Sequence, residues 1–250
     1  MSEKTRVLLV GETWVVLKFH IKGFDLFPIA GYEDYGVWFV EALSKFDDIE
    51  LVHMPNHVAL GSFPDTLEKL NEYDVVILSD CGKNTLQMYP NMFEVPMGAD
   101  RLDIIRQFVE KGGAFIMIGG YGSFQGLRGI PGYHDTVIEE ILPVEIQQTD
   151  DRMEKSQGVR PDVLEAGHPL FEQVPDEWPL FLGYNKVTVK DGAHLLAKFG
   201  DDPFITVWDY KEGKTMAFTS DLSRHWGSAF VEWEGYGDFW HNTVRYLSGK

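Results

Sequence analysis

The sequence predicts an α/β protein with a doubly wound, mainly parallel, flavodoxin-like sheet and an antiparallel C-terminal extension. Three observations predict it. Short apolar runs rich in β-branched residues recur through the first half, each of a length that suits a strand buried on both faces. Helical patterns lie between them, and strand alternating with helix implies right-handed crossovers. In the second half, apolar runs follow one another with turns and no helix between, which is the pattern of antiparallel pairing.

Taken in order, residues 6–10 (Arg-Val-Leu-Leu-Val) form the first strand, which stops at Gly11. Val37, Val40, Leu43 and Phe46 give the apolar face of the first helix. Strands follow at 49–53, 75–78 and 114–118, and Leu102, Ile105, Phe108 and Val109 mark the helix before the last of these. Gly112 and Gly113 stop that helix. The polar, glycine-containing stretch 149–167 reads as a mobile loop. Beyond it, 181–189, 194–199, 204–210 and 215–219 read as strands, with Lys211-Glu212-Gly213 as a hairpin turn. An amphipathic helix over 239–247 closes the chain. No internal repeat or low-complexity segment interrupts it, and residues 1–250 are expected to form one domain.

The chain has 22 basic and 39 acidic residues, a formal net charge of −17. Such a balance repels nucleic acid and anionic membrane surfaces, so neither is expected as a partner. The single cysteine, Cys81, cannot form an internal disulfide, and no basic segment followed by an apolar run opens the sequence. The expected location is the cytoplasm. No apolar stretch approaches the roughly 20 residues of a membrane helix.

Ligands of open α/β sheets bind beyond the carboxyl ends of the strands. Four such corners stand out: Gly11-Glu12-Thr13-Trp14, residues 79–85 (Ser-Asp-Cys-Gly-Lys-Asn-Thr), residues 119–124 (Gly-Gly-Tyr-Gly-Ser-Phe) and residues 220–226 (Ser-Asp-Leu-Ser-Arg-His-Trp). Small and polar residues at all four ends predict one shared pocket. In the flavodoxin-like order, Glu12, Asp80 and Tyr121 should surround one depression. The strand before Asp221 should lie beyond the fourth and bring His225 to the same rim.

The runs 73–80 and 112–124, taken with 221–226, Gly11-Glu12-Thr13-Trp14 and Gly167-His168-Pro169, resemble the class I glutamine amidotransferase-like family. The resemblance spans nearly the whole chain and is specific as a combination, each piece alone being weak. Active members place a nucleophilic cysteine in a glycine-flanked elbow after a strand and draw a histidine and an acid from late in the chain. The resemblance puts that elbow at or beside Tyr121, between Gly120 and Gly122. Tyrosine cannot act as a thiolate does, so glutaminase activity is not expected. It also carries His225 over as the late histidine, with Asp221 orienting the loop or the imidazole.

Each candidate has a plainer reading. The elbow glycines answer to a sharp turn alone; otherwise the N–H groups around Tyr121 and Ser123 form an anion site, with both hydroxyls as polar contacts. Trp14, Asp80, Cys81, Gly120 and Gly122 complete the candidate ligand contacts. Glu12 and His225 are candidate acid/base groups, against a cap or salt-bridge partner and a histidine bonded to a loop carbonyl. Cys81 precedes Gly82 at a strand end, which would set its thiol at the pocket mouth, although free cysteines are most often small buried hydrophobes. Pro55 between His53 and His57 argues against a two-histidine helix face, and Asp238 with His241 suits an ion pair. No metal is expected, nor any cofactor: residues 119–124 lack the Gly-Lys-Ser/Thr of a phosphate-binding loop.

Three functions follow. One is a module that binds a small polar metabolite at the carboxyl edge and has lost the cysteine chemistry. Another is a cysteine-independent hydrolase or lyase using Glu12 or His225. The last is an interaction subunit that docks a partner or a second copy through its aromatic segment 226–240. An open pocket where Glu12, Tyr121 and His225 meet favours the enzyme, and a filled one favours the module.

Overall fold

The structure is a computed structural model that describes residues 4–250. The chain begins with β1 (Thr5–Gly11), β2 (Thr13–Lys22) and β3 (Asp25–Asp34), then α1 (Val37–Leu43), β4 (Ile49–Met54), α2 (Asn56–Ser62) and α3 (Leu67–Leu70). It continues through β5 (Val75–Ser79), α4 (Lys83–Gln87), α5 (Arg101–Glu110), β6 (Ala114–Ile118), α6 (Val137–Ile141) and β7 (Val144–Ile146). The remainder holds β8 (Arg152–Val159), β9 (Asp162–Val163), β10 (Phe181–Asn185), β11 (Val187–Val189), β12 (His194–Phe199), β13 (Asp202–Tyr210), β14 (Gly213–Phe218) and α7 (Tyr236–Ser248).

Eight strands form the central sheet in the order β4-β1-β5-β6-β14-β13-β12-β9. The first five are parallel. Counted by their appearance in the chain, they run 2-1-3-4-5, the flavodoxin-like order. β13, β12 and β9 extend the sheet antiparallel. The run expected at 215–219 therefore has two roles: it closes a hairpin with β13 and is also the fifth parallel strand, beside β6.

The apolar runs of β1, β5 and β6 are central because each must be covered on both faces. Val7, Leu9, Val75, Ile77, Ala114 and Ile116 point into one core with Phe39 of α1 and Phe239, Trp240 and Val244 of α7. Leu8, Val10, Val76, Leu78, Phe115 and Met117 point into the other, against Leu102, Ile105, Phe108 and Val109 of α5. The strand period of two thus sorts one continuous apolar run into two cores.

Three expectations are corrected, and one element is new. Residues 181–189 divide into β10 and β11, which leave the main sheet to pair with β8 and β7. The stretch 149–167 is β8 and β9 rather than a loop; β8 is polar and half-exposed, so it lacks an apolar alternation, and its pairing with β10 orders it. The aromatic segment 226–240 is no docking surface. Trp226, Phe230, Tyr236, Phe239 and Trp240 are buried within the chain's own cores, where burying their rings is far more favourable than presenting them to a partner. Finally, the sequence reading passed over the β2–β3 hairpin. Among the described residues, no helix is long and apolar enough to cross a membrane.

Candidate functional site

The ends of β1, β5, β6 and β14 meet at one edge of the sheet. Gly11 takes φ +115, which brings the chain directly against the carbonyl of Ser79. Glu12 follows in left-handed backbone at φ +56, and its N–H donates to the Ser79 carbonyl at 3.1 Å. Its carboxyl is fully buried, accepts from the Ser79 hydroxyl through Oε1 and has no partner at Oε2. Asp80 is also left-handed, at φ +44. Its N–H donates to Ser123 Oγ at 3.0 Å, and its Oδ1 accepts from the Gly122 N–H at 2.6 Å. A left-handed non-glycine residue costs about 1–3 kcal/mol and persists only where its surroundings impose it. Here two of them flank the point where strand order reverses.

Asp221 enters from β14. It is fully buried, and its Oδ1 accepts from the Ser223 N–H at 2.8 Å and the Ser223 hydroxyl at 2.9 Å. Its Oδ2 lies 3.2 Å from Nδ1 of His225. The imidazole stands edge-on to the Tyr121 ring at 4.4 Å and stacks on Trp226 at 5.1 Å. Tyr121 donates its hydroxyl to Glu154 Oε1 at 2.8 Å, beneath the Arg152 guanidinium at 4.5 Å from its ring.

Beside these groups lies an open cavity of about 430 Å³. Trp14, Val16, Glu33 and Tyr35 form the wall on the hairpin side, and Tyr121, Ser223, Arg224 and His225 also line the cavity, with Asp80. Asp80 has its carboxyl pushed up to about 7, first by burial and then by the charge of Asp221, against the opposing Gly122 N–H and His225. Glu12 is held well above the carboxylate range by burial, then by Asp221 and Asp80. Burial works against charge on His225, but the hydrogen bond and charge of Asp221 outweigh it, and the imidazole gains affinity for a proton.

Of the expected residues, Trp14, Asp80, Tyr121 and His225 border the cavity, with Asp221 behind His225. Glu12 is fully buried, off the cavity wall. The N–H groups of Gly120 and Gly122 are engaged, by Asn185 Oδ1 at 2.9 Å and by Asp80, and the Ser123 hydroxyl is buried against Asp80. With acids beneath as well, an anion site at this turn does not fit. Gly120, at φ +149, and Phe124, at φ +50, take the positive-φ positions of the turn, not Tyr121; a Cβ on Gly120 would strike the Asp80 carboxylate.

Cys81 lies in the apolar layer beside Leu78, Leu86 and Phe124, only 1% exposed, and not at the pocket mouth. Burial pushes its thiol up to about 12. Iodoacetamide is therefore expected to leave Cys81 unmodified in the folded protein at pH 8 and to label it fully in denaturant, as read by intact mass; rapid labelling of the folded form would contradict this burial.

Sequence reasoning missed Glu33, Tyr35, Glu154 and Asn185. The first two sit on the unread hairpin. Asn185 ties the Gly120 amide and carbonyl to buried Asp151, a link between distant segments that leaves no local pattern. The other histidines have structural partners: His53 Nε2 lies 2.9 Å from the Gly11 carbonyl, and His241 lies 3.0 Å from Asp48 and stacks on Phe46. Among the described residues, His134, Asp135 and Glu139 bring three donor atoms within 4.8 Å. Glu139 already accepts from the amides of Asp135 and Ile146.

The family profile described as "Putative glutamine amidotransferase" matches residues 6–249. Two solved Salmonella typhimurium structures are similar over almost the whole chain. Cytoplasmic Protein STM3548 is 37% identical, with a TM-score of 0.92, and the match covers 96% of this chain and 98% of that one. Cytoplasmic Protein STM1381 is 36% identical, with a TM-score of 0.92 and coverage of 97% and 99%. A ThuA-like protein from Parabacteroides merdae, 9% identical with a TM-score of 0.58 over 99% and 91% of the two chains, shares the fold. No curated protein sequence matches.

Proposed function

The chain belongs to the glutamine amidotransferase-like family, and from that premise we propose that it is a cysteine-independent acid–base enzyme acting on a small polar metabolite. The observation that carries this reading is Asp80, a carboxyl that titrates near neutrality at an open cavity shared with His225. A volume of about 430 Å³ is in the range of small-molecule sites. Asp80 takes the acid/base role expected of Glu12, which is buried too deeply to reach a substrate. His225, oriented by Asp221, whose hydrogen bond and charge raise the imidazole's affinity for a proton, is the second proton carrier. This pairing suits hydrolysis or elimination, in which one group removes a proton and the other supplies one to the leaving atom. The elbow holds Tyr121, so hydrolysis of glutamine is not part of the proposal.

The test is a turnover screen over small amides, amines and hydroxy acids, with ligand copurified in the native protein identified by mass spectrometry. With any substrate found, Asp80→Asn is expected to lower turnover at least about 100-fold and His225→Gln about 10-fold or more. Glutamine should release no ammonia. Full turnover in Asp80→Asn would sink the proposal. A binding module is the second reading, favoured by the Tyr121 hydroxyl being committed to Glu154. Tight binding of the copurified molecule without turnover would select it.

A further inference from the structure

β2 and β3 form a ribbon paired from Thr13↔Asp34 to Lys22↔Asp25, and neither strand joins another sheet. Residues paired across an antiparallel ladder share a face, and alternate residues share it along each strand. One face is therefore apolar throughout: Val15, Leu17, Phe19 and Ile21 of β2, with the β3 residues opposite them, from Tyr32 to Leu26. The other is mixed, with Lys18, His20, Lys22, Asp25 and Glu33 among Trp14, Val16, Phe27 and Ile29. The apolar face is uncovered, with Val15, Leu17, Phe19, Ile21 and Leu26 each 60–74% exposed.

Such an arm is incomplete by itself. A two-stranded hairpin is marginal in water unless a third strand or a packed face supports it. A standard interface takes roughly 800 Å² from each partner, and this face presents six large side chains, Val15, Leu17, Phe19, Ile21, Leu26 and Tyr32, each more than half exposed, to supply it. A contiguous apolar face of this kind is unusual on a monomer, whose exposed patches seldom pass roughly a few hundred Å². The geometry points to the β2–β3 arm as the interface with a second copy of this chain, two arms packing apolar face to apolar face about a two-fold axis.

Area and charge both favour this occupant. A face without charge is complementary to itself, and two sheets stack face to face at about 10 Å with their side chains interdigitated. A two-fold axis needs one self-complementary patch and nothing else. Residues 13–34 carry Lys18 and Lys22 against Asp25, Glu33 and Asp34, whereas the rest of the chain has 20 basic and 36 acidic residues. Two such bodies repel each other, and an arm with almost no net charge lets them associate at a distance. The same acidic body repels an anionic membrane. Trp14, Val16, Glu33 and Tyr35 at the root of the arm line the cavity, so dimerisation would also fix that wall.

The test is the mass of the full chain by light scattering at about 50 μM. Twice the 28.5 kDa monomer is expected. Leu17→Lys with Phe19→Lys should give a monomer with an unchanged far-ultraviolet circular dichroism spectrum. A wild-type monomer would overturn the proposal, whether or not it bound phosphatidylcholine–phosphatidylglycerol vesicles, and so would a folded variant that remained dimeric. Should the variant fail to fold, hydrogen exchange of the wild-type protein decides: protection of 15–32 that rises with concentration supports the interface, and protection independent of concentration overturns it.

Discussion

Asp80→Asn is expected to raise the melting temperature by about 10 °C at pH 8 and to leave it nearly unchanged at pH 4. The folded carboxyl titrates at about 7 against an ordinary value of 3.8. Between those values the native state holds a proton that the unfolded chain releases. Stability from this group is thus complete below about pH 4 and is lost as pH rises to about 7, a cost on the order of 4 kcal/mol. Asparagine keeps an oxygen for the Gly122 N–H, tolerates the left-handed backbone and never ionises beside Asp221. For a chain of this size each kcal/mol moves the melting temperature by roughly 2–4 °C. Scanning fluorimetry from pH 4 to 8 checks it: the variant should show a much flatter profile, and a slope equal to that of the wild type would remove Asp80 as its source. The substitution that stabilises is also the one that removes the proposed acid/base group, as expected when a strained, charge-crowded site is kept for its chemistry.

Gly11→Ala is expected to cost more than about 3 kcal/mol and to lower the melting temperature by at least about 10 °C, or to prevent soluble expression. At φ +115 the backbone lies where an L side chain is strained whatever the space, and a Cβ would collide with the Ser79 carbonyl oxygen and lie 2.9 Å from its carbon. Both obstacles are backbone atoms of Ser79 in β5, a central strand that cannot yield. Gly23→Ala at the hairpin tip is the control. Its φ is +59 with nothing within 4 Å of the new methyl group, so about 1 kcal/mol is expected. Equal losses at the two positions would show that the approach of β1 to β5 is not what requires Gly11.

The parallel strands were legible because complete burial leaves a mark that no other element shares: β1, β5 and β6 are apolar at every central position. The order of the first four parallel strands followed from alternation with helices and crossover handedness, whereas the fifth, β14, was expected beyond the fourth but read as part of the antiparallel extension. β8 was illegible because its residues are polar, its partner β10 lies far away in the chain, and the contacts that order it run through buried Asp151 to Asn185 and the amides of Gln125 and Gly126. The hairpin was missed for the opposite reason. Its apolar residues face solvent, where a reading based on burial does not look, and its turn is Gly23-Phe24 rather than an Asn-Gly pair. Within the cavity, strand-end position located Asp80, and the family resemblance singled out His225 within the last corner. Which carboxyl faces outward was not legible, since Glu12 and Asp80 both follow a strand and both adopt left-handed backbone. Depth separates them, and depth is a property of the assembled sheet.

The place of β14 beside β6 has a consequence for how the molecule is made. β6 ends at Ile118, whereas β14 begins at Gly213, so a ribosome must add most of the second half before the two can pair. Until then Ala114–Ile118, apolar on both sides, is a bare sheet edge of the kind that joins neighbouring chains. A nascent chain at that stage already holds Glu12, Asp80 and Tyr121 but lacks Asp221 and His225, which arrive on the loop after β14. The cavity's proton partners are thus joined by the same event that seals the edge. A stalled or prematurely terminated product would be a client for chaperones and proteases rather than a half-working protein.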